Sequence, residues 1–255
     1  MWNSARLNVP ALLRGLWLSL GLAGIIWSVA LLPAFWSGAT AKAVVARILA
    51  NDRFKRGTLS EVLASMQATP GPAMWRTDLV RAEALLRLRI ADEMVGRKSS
   101  EDADLDATAA EDRLKSSLAL NPTDSLLWSV LFSLNISGGG FDARAVGFLD
   151  QSYATGPFEG GIALRRNRLA LAAFPVLPDS IRNRTVAEFR SMVDSEFTED
   201  AALNLMGAGW THKERLLASL EGVDAVPREA LAKRLMRDGV MIKIPGVRLD
   251  ERFFR

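Results

Sequence analysis

The chain has 255 residues, 49% of them hydrophobic and 24% charged, with a formal net charge of +3. That balance belongs to a folded body, not a disordered chain, and so small a charge argues only weakly for anionic partners and hardly at all for DNA. With no cysteine there is no disulfide, thiol chemistry or cysteine metal site, and one histidine alone makes no histidine-based one.

Residues 1–14 form a short segment carrying Arg6 and Arg14, and from there to Lys42 no residue is charged. An α-helix rises about 1.5 Å per residue, so roughly 20 such residues cross the hydrocarbon of a bilayer. Residues 15–38 are long enough, and they read as a transmembrane signal-anchor. Trp17, Leu20, Ile25, Trp27, Leu31 and Trp36 are its membrane-facing side chains, with Trp17 and Trp36 near the two ends, where indole rings favour headgroups. A secretory signal with cleavage after Ala41, at Ala39-Thr40-Ala41, is the competing reading. The apolar stretch exceeds the roughly 7–15 residues of such a signal, which favours a retained anchor. Lys42, Arg47, Arg53, Lys55 and Arg56 on the carboxyl side argue by charge for a cytoplasmic body. Long domains translocate largely regardless of charge, and a basic flank before an apolar segment is an export signal. The expected location is therefore the bacterial inner membrane, single-pass, with the body in the periplasm.

Residues 39–238 read as one helical domain. A run over 40–56 continues from the anchor, and Thr58-Leu59-Ser60-Glu61 opens the next helix with a cap and an acid in its first turn. Thr69-Pro70-Gly71-Pro72 breaks it. Over 73–95, Leu79, Ala82, Leu86, Ile90 and Met94 recur at helical spacing. Residues 97–106 read as a polar linker. Further helices are expected over 107–120, 123–136, 142–154, 159–174, 180–195, 198–206, 211–221 and 227–238. The alternation in Val240-Met241-Ile242-Lys243-Ile244 suggests a short extended piece in a tail, 239–255.

The turns after the helices carry a second pattern. Ala110, Leu114, Ser117 and Pro122 are followed by Trp128 and Leu131, then by Ala145, Leu149, Ser152 and Pro157. Over residues 107–157 this resembles a divergent tetratricopeptide repeat, whose period is about 34 residues. Phe132 stands where that family has a glycine and Asn135 where it has a tyrosine, so local packing must differ. The resemblance implies an all-α fold, an α-solenoid-like array of antiparallel helical hairpins behind the transmembrane helix. Stacked hairpins present extended surfaces that hold partners. The chain is similar to anchored repeat proteins of bacterial cell-envelope and surface-polysaccharide assembly and export. That similarity implies a scaffold or adaptor for protein partners and not an enzyme; no cofactor is expected, and no nucleic acid either, since the arginine cluster has no interleaved aromatics for base stacking.

Candidate chemistry is sparse. His212 lacks companion ligands or a nucleophile and reads as a first-turn residue behind Thr211. The acids Glu101, Asp102, Asp104 and Asp106 lack the glycine and terminal glutamate of a calcium loop. Glu196, Glu199 and Asp200 suit the N-terminal end of the following helix. Gly138-Gly139-Gly140 lacks the lysine of a phosphate loop and reads as a turn. The candidate binding residues are Arg165, Arg166, Arg168, Arg182 and Arg184, with Arg190 beyond. Brought together by a hairpin, their guanidinium forks fit an acidic peptide or anionic glycan. Pairing with Glu159, Asp179 and Glu188 is the plainer use of the same side chains. A membrane-tethered enzyme acting on glycans, with acids converging from distant helices, and a cytoplasm-facing docking platform are the alternative functions.

Overall fold

The structure is a computed structural model that describes residues 9–49, 52–55, 57–68, 76–94, 100–137, 141–157 and 159–247. Eleven α-helices and no strand occur among the described residues. The protein is all-α, built from sequential antiparallel helix pairs behind an N-terminal apolar helix. Its contacts divide it into two compact units, Met1–Leu120 and Asn121–Arg255.

The first unit begins with α1 (Val9–Leu49), a 41-residue helix without a break. Its amino-terminal part is apolar all round, and none of the window Leu13–Ala30 is buried. Its last turns are different: Val44 and Val45 are buried, and Val44 packs with Leu59 and Leu86. The helical run expected over 40–56 stops at Leu49. Asp52 folds back, its N–H donating to the Arg47 carbonyl and its carboxylate accepting from Arg47 Nε at 3.1 Å. Gly57, at φ 84°, then turns the chain through a conformation that other residues rarely adopt.

The chain continues into α2 (Thr58–Ala68) and α3 (Arg76–Met94). Ala82, Leu85 and Leu86 of α3 are buried, on more than one face, because α1, α2 and α4 (Ser100–Leu120) all pack against it. The polar stretch expected to be a linker is helical from Ser100 onward. Acidic residues at the start of a helix offset its positive end, so the composition that looked like a linker also suits a first turn. The Thr69–Pro72 break lies outside the described residues.

In the second unit, α5 (Ser125–Ser137) and α6 (Ala143–Thr155) form a hairpin. Asp142 caps α6, its Oδ1 accepting from the Ala145 N–H at 2.9 Å; that bond, first among several causes, lowers the Asp142 pKa. Trp128 Nε1 donates to the Pro122 carbonyl at 2.8 Å, which ties α5 to the turn before it. Leu131, Ala145, Leu149 and Ser152, all positions of the repeat pattern, are buried. Phe132, in place of the small residue, is fully buried against Ala145 and Leu149. Each such side chain contributes about 1.5–3 kcal/mol by leaving water. The three glycines 138–140 lie outside the described residues.

A second pair follows: α7 (Gly160–Ala172), a 3-10 turn at Phe174–Val176, and α8 (Asp179–Asp194). Beyond it come α9 (Thr198–Met206), the short α10 (Lys213–Ala218) and α11 (Ala225–Arg237). Phe189, Met192, Leu205, Leu216, Leu231 and Leu235 form the larger core of this unit. The helix expected over 211–221 is instead α10 flanked by 3-10 turns at Trp210–His212 and Ser219–Gly222. The extended piece expected at 240–244 has no strand to pair with among the described residues. It is irregular backbone that places Ile244 in the core, held by Arg228 Nη1 donating to the Pro245 carbonyl at 2.6 Å.

Candidate functional site

The α7–α8 hairpin forms as the arginine cluster requires, yet its arginines go to different places. Arg166 points inward and its side chain is 0% exposed; that of Glu188 is 6% exposed. Glu188 Oε1 accepts from Arg166 Nη2 at 2.6 Å and from Nε at 3.0 Å. The rest of the fork reaches α6: Nη1 donates to the Ser152 carbonyl at 2.6 Å, and Nη2 to the Gly156 carbonyl at 3.0 Å. One guanidinium therefore ties the end of α6 to α7 and α8. Gly156 has to be glycine here, because a Cβ would stand 2.2 Å from Ser125 Oγ.

Tyr153, the single tyrosine, lies beside this pair. Its hydroxyl meets Glu188 Oε2 at 3.1 Å and Thr185 Oγ1 at 3.2 Å, and the Arg166 guanidinium stands 4.3 Å from its ring centroid. Asn167 Nδ2 donates to the Thr185 carbonyl, and Asn204 Nδ2 to Asn167 Oδ1. Burial drives the Glu188 pKa above its ordinary value, and the Arg166 charge and hydrogen bonds oppose that shift only in part. Burial likewise raises the Tyr153 phenol, assisted by the Glu188 charge.

The other arginines stay near the surface. Arg184 Nη1 meets Asp150 Oδ1 at 2.8 Å, with both side chains about half exposed. Arg182 Nε donates to the Leu177 carbonyl at 2.7 Å and lies 3.6 Å from Asp179. Arg165 is half buried, and burial together with the Arg168 charge lowers its pKa. Arg168 is exposed. Arg190 Nη2 donates to the Gly222 carbonyl at 2.9 Å. Pairing with Glu188 and Asp179 thus accounts for Arg166 and Arg182, and Arg166 is closed off from any outside anion. Of the five candidate residues, Arg184 lines a groove.

That groove, of about 590 Å³, runs above the buried pair. One wall is Arg184, Ala187, Glu188, Ser191 and Met192 of α8 with Ser195 at its C-cap; Arg184, Ala187, Ser191 and Ser195 follow one another at three or four residues. The other wall is Tyr153, Ala154, Pro157, Gly160 and Ala163. Phe197 stands at the Gly160 end, its ring 3.2 Å from where a Cβ on Gly160 would lie. Just before it, Glu196 adopts φ 63°, the positive value that brings the chain round from α8 to α9.

His212 lies outside this region, its ring tilted by 32° against Phe174 with centroids 4.4 Å apart. Glu199 pairs with Arg234 and Arg237. The acids from Glu101 to Asp106 lie on the first turns of α4, and among the described residues no group of three metal-ligating side chains gathers.

These features define an all-helical protein of packed antiparallel pairs with an N-terminal apolar helix. No protein-family model matches the sequence, and comparison with curated proteins and with solved structures finds no match either.

Proposed function

We propose that this chain is a membrane-anchored scaffold of tetratricopeptide-like helical hairpins that holds protein partners, in bacterial cell-envelope or surface-polysaccharide assembly and export. One observation carries the reading: the exposed apolar window Leu13–Ala30 and the packed residues Val44 and Val45 belong to one unbroken helix. An apolar rod with none of its window covered by protein suits a lipid environment, where its side chains need no further partner. The same rod enters the hairpin core about 20 Å further on, at 1.5 Å per residue, so the first unit is held on a stalk and not on a loose tether. Ala39-Thr40-Ala41 lies within this helix, whereas a cleavage site calls for accessible extended backbone; that supports retention. In this reading the body lies on the periplasmic side, because a basic flank before an apolar segment is an export signal.

The groove suits holding better than transforming. Its one carboxylate, Glu188, already accepts from Arg166 and Tyr153. Hydrolysis of a glycosidic bond generally calls for a pair of carboxylates flanking the bond, so the glycan-enzyme alternative draws no support from it.

Membrane flotation tests the anchor. Full-length protein is expected to float with vesicles and to resist alkaline carbonate extraction, while a chain starting at Ala43 stays in the soluble fraction. Full-length protein that remains soluble without detergent overturns the proposal.

A further inference from the structure

We infer that the groove along α8 is a docking site for a short amphipathic helix of a protein partner, with large apolar side chains lying in it and a carboxylate at the Arg184 end. The inference deepens the scaffold reading and rests on it for the statement that the occupant is a protein.

Shape is the first argument. The α8 stripe from Arg184 to Ser195 is about 16 Å long at 1.5 Å per residue, three helical turns. Each wall carries side chains no bigger than serine, Ala187, Ser191 and Ser195 on one and Ala154, Gly160 and Ala163 on the other, set among Met192, Tyr153 and Pro157. Small residues on both sides let another helix come close and seat bulky side chains, the helix-in-groove mode read as anchors at i, i+3, i+4 and i+7. Ala187, Ser191 and Ser195 are exposed, although α7, α9 and α11 all pack on α8. A single acyl chain would fit a narrow closed tunnel better than this open trough.

Charge is the second. Glu188 presents no free charge, because its carboxylate is met by Arg166 from below. Arg184 is the cation of the lining, at one end of the stripe. Its bond to Asp150 is half exposed on both sides, so an incoming carboxylate can take the place of Asp150 without uncovering a buried ion. The complement is therefore an apolar helix with an acid at one end. The acidic peptide expected from the arginine cluster survives in this narrower form, with one arginine reading it.

The test is selection from a displayed library of randomised twelve-residue helical peptides, panned on the full-length chain in detergent micelles. Enriched peptides are expected to carry large apolar residues on one helical face and Asp or Glu near one end. Ser191→Trp, which fills the trough from an exposed position, is expected to weaken their binding at least tenfold. Ala187→Trp serves as a second filler, and unchanged unfolding midpoints verify that both variants fold. Arg184→Glu is expected to shift the enriched end residue from acidic to Lys or Arg. No enrichment, equal binding to both Trp variants, or an unchanged end residue in Arg184→Glu each overturns the inference. So does a dansyl-labelled fatty acid that binds with Ser191→Trp sensitivity and displaces the peptides, because it assigns the groove to lipid. Since the protein is already in micelles, a failed flotation result leaves this experiment readable, and the reverse also holds.

Discussion

Two regions of this molecule depart from the usual partition of side chains, in opposite directions. Along Leu13–Ala30 the large apolar residues are exposed, Leu16, Trp17, Ile25 and Trp27 among them. Between α6, α7 and α8 the reverse holds, with an arginine and a glutamate removed from water. In each case the environment must supply what water does not. The exposed rod needs a surrounding that is itself apolar, which none of the described residues provides. The buried pair needs donors and acceptors, and the chain provides them in Ser152, Gly156 and Tyr153. On the proposed reading one region is completed from outside and the other from within, and substitutions should separate them.

The largest effect is expected from Arg166→Ala. It leaves the Glu188 charge buried without its partner, which costs about 3–5 kcal/mol. Chemical denaturation should show the loss, while flotation is unchanged. The double replacement Arg166→Leu with Glu188→Leu should recover part of it, because the uncompensated charge is gone although Ser152 and Gly156 lose their donor. If Arg166→Ala unfolds at the wild-type denaturant concentration, the clasp contributes nothing to the fold.

Next is Ile25→Arg, at the centre of the rod. An arginine at mid-bilayer costs about 2.5–3.5 kcal/mol on insertion scales. The variant should lose much of its membrane fraction in carbonate extraction, with the unfolding midpoint in detergent unmoved. An equal loss of midpoint would mean that the rod is packed against protein.

A smaller effect concerns pH. The Glu188 pKa is raised on folding above its ordinary 4.5, so the folded protein holds that proton more tightly than the unfolded chain. Its contribution is complete below pH 4.5 and is lost as pH rises through the folded-state value. Wild type should therefore lose stability relative to Glu188→Gln over that rise; a stability difference flat with pH removes burial as the dominant influence.

The smallest is Arg184→Ala. Its half-exposed pair with Asp150 is worth about 0–1 kcal/mol, so the unfolding midpoint should barely move. A loss as large as that of Arg166→Ala would erase the distinction between rim and interior within the one arginine cluster.

Much of the helical order was legible in the sequence, and the reasons are local. The helix opening at Thr58, the span of α9 and the helix expected over 142–154 follow from signals within a few residues of one another. The repeat pattern located buried positions such as Leu131, Leu149 and Ser152 because helical spacing alone puts them on one face. Where local signals were ambiguous, expectation and structure parted. Acids beside serines suit a linker and a helix start equally, so the first turn of α4 was missed. Alternation in residues 240–244 looks like a strand, but a strand requires a neighbour for its backbone, and among the described residues this segment pairs with none.

The cluster of arginines shows the division most clearly. That Arg165, Arg166, Arg168, Arg182 and Arg184 lie on successive helices is a property of the sequence. So is the uncharged rod, whose length and composition are set by covalent order. Which guanidinium turns inward is settled by distance across the chain: Arg166 meets Glu188 on α8 and two carbonyls at the end of α6, while Arg184 is left at the rim. The groove is likewise assembled from residues of α6, α7 and α8 and their ends, none of which is notable alone. Periodicity carries information about neighbours within a few turns; burial and pairing depend on residues tens of positions apart, and only packing brings those together.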